Sequence, residues 1–177
     1  MIDWYKKVVF ENYANFKGRA RRSEYWYFTL ANIIISILLM LLDNALGLKI
    51  GSSNSGVLNS IYGLIVFLPG LAVAVRRLHD IGKSGKLLLL FYIAIIVLAI
   101  VMVVAGLSLF MAGMGNSGAQ TPDFGSLGIG FFIPLILILG IAIWMLILFF
   151  TAGDVGANKY GPDPKCNCEE INEIGTE

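Results

Sequence analysis

Hydrophobic residues fall in four long runs along this chain, at 25–46, 57–75, 87–111 and 129–152, and the polar residues are swept into the stretches between them. A helix crosses a hydrocarbon core of about 30 Å in about 20 residues. The pattern therefore predicts four membrane-spanning helices. The short period-two strands of a transmembrane barrel are absent from the runs, so the expected fold class is all-α, a polytopic membrane protein. Within the second run, Pro69 is expected to bend the helix ahead of a small-residue face, Gly70-x-x-x-Ala74, suited to close packing.

The stretch before the first run reads differently. In residues 2–16, Tyr5, Val9, Tyr13 and Phe16 share one face at i, i+4 spacing, while Asp3, Lys7 and Glu11 share another. That predicts an amphipathic N-terminal helix lying in the headgroup region. Gly18 breaks it, Ser23 is the expected N-cap of the next helix, and Glu24 suits that helix's positive end. Tyr25, Trp26 and Tyr27 form an aromatic interface belt. The expected organisation is a basic segment at 1–24, a transmembrane domain at 25–152 and a tail at 153–177. A short polar loop at 47–56 and a Gly-rich loop at 112–128 join the outer ends of the spans. No internal repeat is visible, since Pro69 and Pro134 sit at different depths.

Composition sharpens this picture. The chain is 57% hydrophobic and 14% charged, with a mean hydropathy of +0.77, whereas soluble domains carry about 25% charged residues. The first 24 residues carry charges throughout and lack the apolar core of a cleavable signal. Of 13 basic residues, only Lys49 falls on the side of the 47–56 and 112–128 loops. The others flank the opposite ends of the spans, so both termini are expected in the cytoplasm of a bacterial inner membrane.

With that topology, three polar motifs converge on one face: 18–26, 76–85 and 154–164. Arginines bind phosphate bidentately, so Arg19, Arg21, Arg22, Arg76 and Arg77 are candidates for an anion or lipid headgroup. Snorkelling positive-inside charge is the simpler reading for any single one of them. Arg76 and Arg77 diverge by about 100° on a helix, so at least one is expected to face the protein, with Glu24 and Asp80 as partners. Arg76, Arg77 and Asp80 are thus expected to join Arg21, Arg22 and Glu24 in one polar cluster. Glu24, His79, Asp80, Asn158 and Tyr160 are the expected structural polar residues, and 154–164, stiffened by Pro162 and Pro164, is expected to fold back on the 76–85 loop.

Several alternatives are weaker. His79 is the only histidine and no ligand set accompanies it, so a structural role is expected and no metal. Lys83-Ser84-Gly85-Lys86 lacks the spacing and preceding strand of a phosphate loop. Cys166 and Cys168 read as reduced thiols in a loose tail, and Asp43 as a marker of the outer interface.

The motifs GRARRSEYW (18–26), RRLHDIGKSG (76–85) and GANKYGPDP (156–164) resemble those of the bacterial inner-membrane family known as domain of unknown function 805, the YhaH-like proteins. The resemblance covers roughly residues 1–165 and implies an inner-membrane location without an activity. The residues favour a non-enzymatic membrane protein that binds a lipid headgroup or a partner through a composite cytoplasmic site. Acidic phospholipid is the expected ligand, a second copy or another membrane protein the alternative partner. No cofactor and no nucleic acid are expected. A small oligomeric transporter or channel is the competing reading, weakened by spans whose polar residues are few (Asn32, Ser36, Asn59 and Tyr62). A lipid-active enzyme using His79 and Asp80 lacks a nucleophile or metal set.

Overall fold

The computed structural model describes residues 2–50, 56–115 and 131–165. It is all-helical. Helix α1 (Ile2–Lys6) runs into a π-helical turn (Lys7–Glu11), and α2 (Arg22–Leu46), α3 (Val57–Asp80), α4 (Lys86–Gly115) and α5 (Ile133–Phe150) follow. Among the described residues, α2, α3, α4 and α5 are long and apolar enough to cross a membrane.

The boundaries depart from the sequence expectation at polar residues. The N-terminal helix ends at Glu11 rather than near Phe16, where the Asn12 side chain turns back to the Lys7 carbonyl at 3.1 Å. Such a bond competes with the helical ladder. Ser23 does not cap α2; the cap is Arg21, in extended conformation, and Ser23 lies inside the first turn. Helix α3 continues through Asp80, so Arg76, Arg77, His79 and Asp80 are helical rather than loop residues, and Pro69 sits within it. The expected start of the last span at 129 lies outside the described residues, as do Cys166, Cys168 and most of the Gly-rich loop.

Contacts divide the chain into two compact units, Met1–Gly85 with Thr151–Glu177, and Lys86–Phe150. In the second unit, α4 and α5 pack on each other. Met145 and Phe149 are buried, while Ile96, Val103 and Ile136 are among many large apolar side chains left exposed. That surface suits hydrocarbon rather than water.

In the first unit, α2 and α3 pair along their length, and α1 packs on α2. The apolar face of the N-terminal helix is taken up by protein. Val8 is fully buried in a cluster with Ala20, Phe28, Val66 and Val73, against which Tyr5, Val9, Tyr25 and Tyr62 pack. Tyr5 stacks on Phe28 at 5.8 Å. Its hydroxyl lies 3.2 Å from that of Tyr62, which donates in turn to Asn32 Oδ1 at 2.5 Å. This chain of hydroxyls and amide ties α1, α2 and α3 together where unpaired polar groups would be costly.

Asp43 marks more than an interface. Its carboxylate is buried and accepts from the backbone N–H groups of Leu58 and Asn59, both at 3.0 Å. It thus caps α3 from the neighbouring helix, satisfying donors that a helix start leaves open. Asp43→Ala should destabilise the protein by about 1–2 kcal/mol, the scale of a lost cap. The exposed Asn44→Ala should change little. Thermal unfolding in detergent compares them, and equal effects would remove Asp43 from the capping role.

Candidate functional site

Every α-helix ends with carbonyls that lack intrahelical partners, and at the C-terminus of α3 these organise the site. Lys83 N–H donates to Leu78 O at 3.0 Å and Gly82 N–H to His79 O at 3.1 Å. With Gly82 at φ +69°, this is a Schellman turn, which needs a left-handed residue at that position. The remaining carbonyls are covered by distant chain. Asp154 N–H donates to Asp80 O at 2.8 Å, and Asn158 Nδ2 donates to His79 O at 3.0 Å. The segment 154–164 therefore does fold back on this turn. Tyr160 stacks flat on the His79 ring at 3.9 Å, and His79 Nδ1 lies 3.2 Å from Gly18 O. His79 is held between the two other motifs.

Asp80 is the centre of the ionic network. One carboxylate oxygen accepts from Arg19 Nε at 3.0 Å, and the other pairs with Arg77 Nη1. Both arginines also donate to the chain that follows α5. Arg19 reaches Gly156 O and Asp154 O, each at 2.5 Å, and Arg77 Nη2 donates to Thr151 O. Gly153 is needed beside them, because an added Cβ would lie 2.0 Å from Asp80 Oδ2. Arg77 is entirely buried. Two cations share one carboxylate, and the carbonyls of the tail satisfy the excess.

Arg76 points elsewhere, as its 100° offset from Arg77 requires. Its Nη1 meets Glu24 at 2.8 Å, with both side chains buried. Nε and Nη2 make no hydrogen bond among the described residues. Arg76 also lines a cavity of about 390 Å³, together with Lys7, Lys17, Arg19, Arg21 and Glu24. Lys7 is positioned over the Trp4 ring at 5.3 Å, and Arg21 Nε donates to Pro164 O.

The expected single cluster is thus two sites. Arg19 and Arg77 stand with Asp80 and the tail, and Arg76 with Glu24 at the cavity. Arg21 lines that cavity, whereas Arg22, exposed on the first turn of α2, does not. Asp80 takes Arg19 as its second partner in place of Arg21 or Arg22. His79, Asn158 and Tyr160 come together with Asp80; Glu24 belongs to the other site. Lys7 and Lys17 escaped the sequence reading. Their one signal was that a helix packing back on α2 and α3 carries its polar face to the same end.

Asp163 ties Gly156 to Lys165. Its carboxylate accepts from Lys165 N–H at 2.9 Å and Gly156 N–H at 3.2 Å. Chiefly the Lys165 bond, with further help from the Gly156 bond and from the Arg19 and Lys165 charges, holds the carboxyl below its ordinary value of 3.8, against the opposing effect of burial. A carboxyl lowered on folding stabilises the fold above its unfolded pKa, and that contribution disappears as pH falls through the folded value. Asp163→Asn should therefore melt below the native protein at neutral pH. The gap should close on acidification below the ordinary carboxylate range; a pH-independent gap in thermal melts would refute the linkage.

Breaking a buried pair by removing one partner costs about 3–5 kcal/mol, against at most about 1 kcal/mol for an exposed charge. Asp80→Ala should consequently lower the unfolding temperature in detergent sharply, and the exposed Lys83→Ala scarcely at all. Equal small shifts would reduce the network to a solvated connector.

Comparison with known proteins bears on what this arrangement belongs to. Residues 13–162 match the family described as Protein of unknown function (DUF805). Inner membrane protein YhaH of Escherichia coli strain K12 is 37% identical over 166 residues, covering 93% of this chain and 98% of the relative. Inner membrane protein YhaI of the same strain is 40% identical over 129 residues, covering 71% and 99%. No solved structure matches. With its long apolar helices and these relatives, the chain is an integral inner-membrane protein and belongs to the DUF805 family.

Proposed function

We propose that this protein is a non-enzymatic component of the inner membrane that holds the headgroup of an acidic phospholipid at its cytoplasmic face. The observation that supports this reading is the cavity beside Arg76, whose lining holds five basic residues and one acidic residue. Arg19 is balanced by Asp80 and Arg76 by Glu24. Lys7, Lys17 and Arg21 make no ion pair among the described residues, so the cavity keeps a positive surplus. Such a surplus at headgroup depth draws anionic lipid. His79, the one residue suited to acid–base work at neutral pH, is occupied by Gly18 O and Tyr160, which supports a binding rather than a catalytic role.

The cytoplasmic assignment rests on the twelve basic residues that flank one set of helix ends against Lys49 alone at the other. In intact cells, Ser117→Cys should be labelled by an impermeant thiol reagent and Ser84→Cys should be protected; the reverse pattern would overturn the orientation. For the ligand, native mass spectrometry of the protein in mild detergent should show retained acidic phospholipid and no retained zwitterionic lipid. Solute flux through protein-containing liposomes, with no lipid preference, would favour the transporter reading instead.

A further inference from the structure

We propose that residues 2–17 form a detachable strap over α3, latched at the backbone carbonyl that Pro69 deprives of its helical donor. Pro69 lies inside α3 and has no N–H, so the carbonyl four residues before it, that of Ile65, receives no i+4 bond. In a spanning helix, a backbone group freed in this way has to find its partner elsewhere in the protein. The Tyr13 hydroxyl donates to Ile65 O at 2.8 Å, from 52 positions away in sequence. The strap therefore supplies the bond that proline removes.

Its hold is light. Helix α1 and the π-helical turn have five residues each, and a helix needs about 12–15 residues to persist unaided. Their order depends on docking, yet α1 buries no residue and the turn buries Val8 alone. Val8 meets Val66 and Val73, and the Tyr5 hydroxyl meets that of Tyr62 at 3.2 Å. With Tyr13, these contacts fall on α3 between Tyr62 and Val73, the stretch that brackets Pro69. Docking also carries Lys7 and Lys17 into the lining of the cavity, whose other basic residues belong to the chain after the strap. The cavity is complete only while the strap is down. Resting on the acidic-lipid reading above, the consequence is reciprocal: a headgroup that spans Lys17 and Arg21 binds the docked form and thereby holds it docked.

Hydrogen exchange of the amides in residues 2–11, read by mass spectrometry on the full-length protein in phosphatidylcholine nanodiscs, tests the latch. Tyr13→Phe keeps the ring and loses the donor, and should speed that exchange about fivefold, the scale of one neutral hydrogen bond. Pro69→Ala returns an N–H to Ile65 O, and in that background Tyr13→Phe should matter less than about twofold. Should Pro69→Ala not fold, Pro69→Val, closer in volume and also carrying an N–H, takes its place. Tyr5→Phe, whose partner Tyr62 is independent of the proline, should loosen the strap equally in both backgrounds. Equal effects of Tyr13→Phe with and without Pro69, or no effect with it, would overturn the latch. Adding phosphatidylglycerol to the bilayer should slow the same exchange several-fold, and Lys17→Gln should remove that protection. Exchange indifferent to phosphatidylglycerol, while native mass spectrometry shows the lipid retained, would overturn the coupling of strap to cavity. Failure to retain any acidic lipid would overturn the lipid reading of the cavity, and the Tyr13 and Pro69 variants would still decide the latch.

Discussion

Asp80 sits at the point where α3 ends, and its carboxylate is shared by Arg19 and Arg77. These three charges come from two motifs, and the chain after α5 supplies the carbonyls of Thr151, Asp154 and Gly156 that complete the arginines. Charges in so buried a place are tolerable only when every donor has an acceptor. Three short segments, spread over more than 130 positions in sequence, are thereby compelled to meet. The loop at 81–85, the Gly18 turn and the tail each lack a hydrophobic core of their own. Their conformations are imposed by the need to solvate two guanidinium groups without water.

That requirement also explains why adjacent arginines serve different ends. Arg77 is consumed by the network and has no capacity to spare. Arg76, turned about 100° away on the same helix, meets Glu24 and lines a cavity with other basic residues. A helix terminus that presents both residues can thus fix the fold and keep a binding group in one stroke. The basic composition of this end, taken in bulk, conflates the two.

Much of the fold could be read from the sequence because hydrocarbon thickness imposes its length on the apolar runs, and the runs at 25–46 and 57–75 correspond to the α2 and α3 helices. The misplaced ends were the charged ones. A helix that carries Arg76, Arg77 and Asp80 past the apolar run looks like a loop by hydropathy, although Gly82 four residues after Leu78 was a local signal of its true end. At the site, motif proximity was legible because topology decides it, and so were Glu24 and Asp80 as the acids that meet Arg76 and Arg77, though not which acid meets which arginine. The partner of Asp80 was not, because Arg19, Arg21 and Arg22 are equivalent by composition and only the Gly18 turn, with Ala20 N–H bonded to Arg76 O at 3.1 Å, selects Arg19. Lys7 and Lys17 were hidden for a different reason. A short amphipathic segment reads the same whether its apolar face meets lipid or another helix, and here it meets Phe28 and Tyr62.

The two acids at opposite ends of α3 belong to one physical scheme. A helix carries about half a positive charge at its N-terminus and half a negative charge at its C-terminus. Asp43 places a carboxylate against the first N–H groups of α3, and Arg19 places a cation against the Asp80 carbonyl at its end, with the Asp80 carboxylate balancing part of the charge of Arg19 and Arg77. In a low-dielectric surrounding these terms are stronger than in water, and each end also fixes a neighbour: Asp43 ties α2 to the start of α3, while Arg19 and Arg77 tie the N-terminal turn and the tail to its finish. Helix α3 is therefore held at both termini by groups that are not its own ladder. Between those ends its middle packs on α2 through Val66 and Val73, which share a buried cluster with Phe28.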